Sequence, residues 1–304
     1  LSKAVRVRNG QAEIISERCI NCAYCVELCS QGAKEIVNYK TEVNQLLESD
    51  RKVVAGLAPS FPAYNSSMSL ADWKDYLEKI GFDDVYEVAW GAQMLISQYK
   101  KLLAGTDKLV ISTPCPVIVN YVEKYFPDLV PNLAPLTSPM GALVKYIDKI
   151  ENTDIEIVLI GPCHAKKVEF EENNSVSAVL TFTELDEIGE EISGNALKSY
   201  EGTGCNKNNF DDNSPDTDDT NDIITNIDYT NNKYENDLKI EEEPASSARK
   251  IPLAGGLLSA VGAERDSDKY IKIEGREKIS EIFNAIVNNE IEPRFIDALF
   301  CDGC

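Results

Sequence analysis

Nine cysteines, at 19, 22, 25, 29, 115, 163, 205, 301 and 304, are the residues most able to do chemistry in this chain. Cys19, Cys22, Cys25 and Cys29 form a C-x2-C-x2-C-x3-C run inside RCINCAYCVELCSQGAKEI. Three thiolates at this spacing wrap one face of a [4Fe–4S] cube, and the fourth cysteine of such a run usually ligates a neighbouring cluster. Zinc sites rarely use the spacing. Disulfide frameworks belong to small secreted domains. Here the chain is large, and its opening LSKAVRVRNG is basic without an apolar leader. Thiolate ligation of iron is therefore the expected chemistry of the run.

Four further cysteines raise a second possibility. Cys115 follows the apolar stretch KLVIST, in STPCP, and Cys163 follows IEIVLIG, in GPCHAKK. Both stand just past the carboxyl end of an expected parallel strand, where open α/β sheets place ligand-binding groups. Prolines stiffen both loops, as Pro114-Cys115-Pro116 and Pro162-Cys163, which suits a ligand whose bonds tolerate little drift. Adding Cys301 and Cys304, from the final ALFCDGC, makes four thiolates, the number a cubane needs. Other readings of these four stay open: small apolar core fillers, a zinc site, or a redox dithiol at 301–304. Cys205 lies in a polar stretch and is read as incidental.

The elements that must position these groups alternate. KVVAGLAP (52–59), DKLVISTP (107–114), DIEIVLIGP (154–162) and SVSAVLTF (175–182) are short, β-branched apolar runs, as buried parallel strands are. Amphipathic helical patterns lie between them: SLADWKDYLEKIG (69–81) with Ser69 and Asp72 at its start, GAQMLISQYKKLLAG (91–105), VIVNYVEKYFPDL and MGALVKYIDKIEN. The alternation argues for an α/β fold with mostly parallel sheets. GREKISEIFNAIVNN (275–289) is a further expected helix, and EPRFIDALF (292–300) is also expected to be helical. Residues 202–248 are dominated by Asn, Asp and Thr and read as a disordered acidic insertion, a solvated spacer.

Length and charge bound the rest. The chain has 304 residues, 43% apolar, enough for one large domain or two ordinary ones. A formal charge of −21 repels nucleic acid and anionic lipid, so neither is expected as a partner. No run of about 18 apolar residues marks a membrane span. A reducing cytoplasm is the expected location.

Residues 1–45 resemble half of a bacterial two-cluster ferredoxin module, a small α+β fold. Its first cysteine run would precede the hairpin-like LSKAVRVRNGQAEIISER. Ser30 replaces the proline common after the last cysteine. Both ends of the chain read as cut from a longer polypeptide. From residue 50 to 304, STPCPVIVNYVEKYFPDLVPNLAPLTSPMGA, LIGPCHAKKVEF, IPLAGGLLSA and FIDALFCDGC resemble, in order, the signatures of the catalytic domain of iron-only ([FeFe]) hydrogenases. VVAGLAPSFPAY and GFDDVYEVAWGAQMLI resemble that family's early strand and helix.

The resemblance implies a two-lobed fold of twisted, parallel-rich sheets flanked by helices, with the cluster site in the interlobe cleft. It implies that Cys115, Cys163 and Cys301 ligate a [4Fe–4S] cluster and that Cys304 bridges it to a two-iron subsite. It makes Lys166 a hydrogen-bond donor to that subsite, an ammonium with three donors, and places Ser138, Pro139 and Met140 in a loop near it. Gly255 and Gly256 match another close-approach loop. The alternative for Lys166 is an exposed surface lysine beside Lys167.

Departures from the family are specific. Pro114 stands where a second, proton-relaying cysteine is usual. Ser97 and Gln98 stand where acidic residues continue the relay, and Gly161 replaces a methionine. CDGC has two residues between its cysteines instead of three. His164, the sole histidine, is a second candidate proton carrier. The resemblance thus implies a divergent, sensory-type member. Its function would be low-turnover or H2-sensing chemistry, with electrons passed through [4Fe–4S] clusters. A redox partner such as ferredoxin, or a fused PAS or signalling-output domain beyond Cys304, would accompany it. The other reading is a non-catalytic electron-transfer or Fe–S scaffold protein that keeps the cubane and lacks the two-iron subsite.

Overall fold

A computed structural model describes residues 2–151, 154–171, 173–194, 197, 244–263 and 268–301. Most of the acidic insertion, Cys205 and Cys304 lie outside the described residues. The chain opens with an antiparallel hairpin of β1 (Val5–Arg8) and β2 (Gln11–Ile14), followed by the cysteine loop with its single-turn helix α1 (Tyr24–Glu27). Helix α2 (Lys40–Leu47) comes next. It buries Val43 in the first large core and pairs Lys40 with Glu187, so the expected boundary at residue 45 falls inside an element of the following lobe.

Two parallel sheets follow, and the chain weaves between them. It runs through β3 (Lys52–Leu57), α3 (Phe61–Tyr64), α4 (Leu70–Lys79) and β4 (Asp84–Glu87). Helix α5 (Val88–Gly105) leads away to β5 (Val110–Ile111), then α6 (Pro116–Tyr125) and a 3-10 turn at Pro127–Asn132. Helix α7 (Pro139–Ile150) returns to β6 (Ile155–Gly161), α8 (Ala165–Glu169), β7 (Ala178–Thr181) and α9 (Phe182–Ser193). Past the insertion come α10 (Ser246–Arg249), α11 (Gly256–Ala260), β8 (Tyr270–Glu274), α12 (Arg276–Val287) and β9 (Phe295–Leu299). The first sheet has the order β4-β3-β6-β7 and the second β5-β9-β8, every pairing parallel.

Local chemistry explains the element ends. Ser69 and Asp72 form the expected capping box of α4, exchanging bonds between side chain and backbone at both ends. Thr181 and Glu184 build a second box on α9. Ser138 caps α7, its Oγ accepting from the Gly141 N–H at 3.3 Å. The helices α5 and α7 cross at Gly91, where the missing side chain lets backbone meet backbone.

Two expectations on local structure fail. EPRFIDALF contains a strand where a helix was expected. β9 is the middle strand of its sheet, buried at all five positions. A strand covered on both faces shows no alternation, so its apolar run mimics a helix. The carboxyl edge of the insertion is ordered: α10 buries Ala248, and Arg249 holds the buried Glu87 by two 2.9 Å bonds. That bidentate pair anchors the start of α5.

Candidate metal centre

Three of the four separated cysteines are described, and each leaves a strand end. Cys115 lies beyond β5, Cys163 beyond β6 and Cys301 beyond β9. Two come from the second sheet and one from the first, so the site spans the lobes. Cys115 is also the residue before Pro116, the first residue of α6. Proline there needs no N–H partner and starts the helix. Cys115 and Cys163 border one buried core, together with Cys22 from the amino-terminal run.

The thiols feel each other. Burial pushes the Cys115 thiol up, and the nearby Cys163 adds to the shift. The nearby backbone N–H groups of Phe300, Ile118 and Val117 work against it. Burial pushes Cys301 up to about 11, with Cys115, Cys163, Glu27 and Cys22 contributing like charge. Cys115 and Cys163 are partly buried and Cys301 is exposed; thiols within electrostatic reach of one another are a poor arrangement for free thiolates. They are a good one for thiolates on a cationic metal core. Among the described residues, no three His, Cys, Asp or Glu side chains converge on a single ion, as the four ligands of one zinc must. In a cubane each thiolate binds its own iron, so an all-cysteine donor set drawn from separate strand ends is compatible with a cluster.

The thiols of the amino-terminal run sit in different surroundings. Cys22 is pushed up by burial first, with Cys19 and Cys25 adding like charge. Cys29 stands apart: its Sγ accepts the Ala33 N–H at 3.2 Å, and amide donors draw its thiol below the ordinary value. Helix α6 cradles this run. Lys124 Nζ donates to the carbonyls of Ser16 and Cys19 at 3.0 and 2.6 Å. Tyr125 Oη lies 2.6 and 2.9 Å from those of Ser2 and Arg18, its one proton shared between them, and Asn120 Nδ2 lies 3.4 Å from that of Ile20. One helix thus carries Cys115 at its start and holds the other cysteine loop along its body. The sequence reading missed this; the polar residues at 120, 124 and 125 look like an ordinary solvated face.

Lys166 is buried, not a surface lysine. Its Nζ donates to the Pro114 carbonyl at 3.2 Å, beside the Cys115 loop, and to Glu169 Oε2 at 2.5 Å. Lys167 is buried too, donating to Glu184 Oε1 at 2.5 Å and to the Val37 carbonyl at 2.7 Å. It ties the linker before α2 to the first lobe. The buried Glu184 at the third position of α9, three residues after Thr181, was the signal available for it.

His164 is half-buried, its Nδ1 buried with no hydrogen-bond partner among the described residues. Burial first, and then Lys167, hold its pKa below the usual value. Met140 and Gly161 meet: a Cβ at Gly161 would lie 3.0 Å from Met140 Cε and 3.0 Å from Ala58 Cβ. The space for a larger residue at 161 is already filled. Gly255 adopts φ 77, and a Cβ on Gly256 would lie 1.9 Å from the Lys250 carbonyl oxygen, so both glycines are structurally required.

The family described as "Iron only hydrogenase large subunit, C-terminal domain" matches residues 51–304. The chain belongs to this family. Among curated relatives, the NADP-reducing hydrogenase subunit HndD of Solidesulfovibrio fructosivorans is 29% identical over 201 residues, covering 55% of this chain and 34% of that protein. The cytosolic Fe-S cluster assembly factor NAR1 of Yarrowia lipolytica is 26% identical over 168 residues, covering 50% and 34%. The chain therefore spans about a third of the length of these relatives. A solved [FeFe]-hydrogenase, studied for oxygen damage to its H-cluster two-iron subcluster, shares the fold with a TM-score of 0.56 at 17% identity, over 87% of this chain and 82% of that one. The α/β architecture of parallel sheets flanked by helices is thus that of the hydrogenase large subunit. No helix among the described residues is long and apolar enough to cross a membrane.

Proposed function

We propose that this iron-only hydrogenase family member is a low-turnover or H2-sensing redox protein. The reading is supported by the placement of Cys115, Cys163 and Cys301 past three strand ends of two sheets, within electrostatic reach of one another. With Cys304 they would hold a [4Fe–4S] cluster and bridge to a two-iron group. Cys19, Cys22 and Cys25 would hold a second cluster, with Cys29 facing a neighbouring one. A bound two-iron group supplies the interconversion of H2 with two protons and two electrons.

The chain's own residues set the pace. Pro114 carries no proton, and Lys166 is engaged by Glu169 and the Pro114 carbonyl. Its ammonium would orient anionic ligands at the site, while proton delivery would be slow. Ser138 uses its hydroxyl to cap α7 and serves the site by fixing that helix. A cytoplasmic setting, a ferredoxin-like electron carrier and a fused PAS or signalling-output domain complete this reading.

A second reading is favoured by Pro114, by the filled space at Gly161 and by the likeness to a cluster assembly factor. It is a non-catalytic Fe–S scaffold without the two-iron group. Iron counting and infrared spectroscopy separate the two. After anaerobic reconstitution and maturation, the hydrogenase-like reading expects six irons at the Cys115 site and CO and cyanide bands. Four irons and no bands after full maturation would leave only the scaffold.

A further inference from the structure

The carboxyl edge of the second sheet releases three chain segments side by side. In the strand order β5-β9-β8, these lead to Cys115, to Cys301 and, through Gly275, to Arg276. Glu274 is the register partner of Leu299, so Arg276 leaves the sheet level with Phe300 and Cys301. Gly275, at φ 89, turns the chain into α12, a backbone that side chains with a Cβ rarely adopt. The Arg276 guanidinium carbon then lies 3.5 Å from the centroid of the Tyr24 ring. Tyr24 stands between Cys22 and Cys25. A cavity of about 190 Å³ is lined by Cys22, Tyr24, Glu27, Arg276, Phe300 and Cys301, so both cysteine groups and the stacked pair share one space. A larger cavity of about 500 Å³, also bordered by Cys22, Tyr24 and Arg276, adds Glu274, Glu277 and Lys278.

Arginine stacked on an aromatic face is held by cation–π attraction and plane-to-plane contact. It keeps its charge at every accessible pH. The other charged groups around the two cavities are Glu27, Glu274, Glu277 and Lys278. Of the two cations, Arg276 is the one seated on the cysteine loop, and it borders both cavities.

We propose that Arg276 is a positioning residue for the junction between the two cysteine groups, and that its fixed charge raises the reduction potential of the cluster beside it. The proposal rests on the reading of both groups as cluster ligands. Reduction adds one electron, and so one negative charge, to a cluster. A cation pinned nearby stabilises the reduced state, whereas a mobile one is screened by water. A unit charge about 10 Å away, at an effective dielectric near 20, alters the reduced-to-oxidised ratio roughly tenfold. For one electron this is about 59 mV.

The test uses the full chain, reconstituted anaerobically with iron and sulfide and titrated with dithionite as the one-electron source under EPR. At equal iron content, Arg276→Gln is expected to lower one cluster midpoint by about tenfold in that ratio. Arg276→Lys, which keeps the charge, should stay within about twofold of wild type. Tyr24→Leu keeps the charge but frees it to swing into solvent, and should give a smaller shift of the same sign. It also covers the case in which Arg276→Gln loads poorly. Coincident titrations of wild type, Arg276→Gln and Tyr24→Leu would overturn the proposal, as would equal shifts in the lysine and glutamine variants. A wild-type chain that takes up no cluster would overturn the ligand reading as well, which iron content reveals before any titration.

Discussion

Gly91→Ala is expected to destabilise the crossing on which both lobes depend. A Cβ at this position would lie 2.0 Å from the Pro139 carbonyl oxygen, 2.7 Å from the Leu143 nitrogen and 3.0 Å from the Pro139 carbonyl carbon. Ordinary carbon–oxygen contact begins near about 3.3 Å, so α5 and α7 must part by about 1 Å. The obstructing atoms are backbone and cannot rotate away. Alanine gains about 1 kcal/mol of intrinsic helix preference over glycine. Overpacking costs about 1–3 kcal/mol and sometimes more, and parting the helices also forfeits dispersion contacts along the interface. With rigid obstruction the cost falls at or above the top of that range, for a net loss of about 2–3 kcal/mol.

For a chain of 304 residues, the unfolding entropy is about 0.6 kcal/mol/K, so Tm should fall by roughly 4 °C. Urea unfolding should show a lower midpoint at unchanged slope. Gly105→Ala is the control: it ends the same helix, and a Cβ there meets nothing within 4 Å. It should be neutral or stabilising by up to about 1 kcal/mol. Gly91→Ala within about 0.5 kcal/mol of wild type would refute the close-crossing argument. Because α7 begins at Pro139, the variant should also load the Cys115 site less completely than the control.

Two further perturbations probe buried charge. Burial pushes Asp297 up to about 6, against donors from Leu258, Leu257 and Ser112. An acid with a raised pKa binds its proton more tightly when folded, so stability falls as pH rises from about 4 to about 6. Relative to Asp297→Asn, the wild type should lose on the order of 3 kcal/mol across that window; urea midpoints of both proteins that track in parallel from pH 4 to 7 would contradict this. Lys167→Met leaves the Glu184 carboxylate buried without its cation, a loss of about 3–5 kcal/mol. Adding Glu184→Gln should recover most of it in a double-mutant cycle, and failure to recover would mean that Lys167 acts through the Val37 carbonyl instead.

Much of the fold was legible because local rules dominate it. The capped helix at 70–79, the strands ending before Cys115 and Cys163, and the parallel order all follow from periodicity and turn residues. β9 was not legible, since a strand buried on both faces loses the alternation that identifies it. The helix at 246–249 was hidden in a polar stretch whose composition says nothing about an ion pair to Glu87.

By itself, the sequence determined the cysteine spacing, the order of the hydrogenase-like signatures and the absence of a titratable side chain at Pro114, because these are properties of residue type and local separation. Tertiary structure alone decided that Cys115, Cys163 and Cys301 come within electrostatic reach of one another from two sheets, that Lys166 and Lys167 are buried, and that Arg276 rests on Tyr24. The cysteine approaches and the Arg276–Tyr24 contact join residues from about 50 to 250 positions apart. No local propensity encodes them; they exist because strand ends from a woven pair of sheets arrive at one edge.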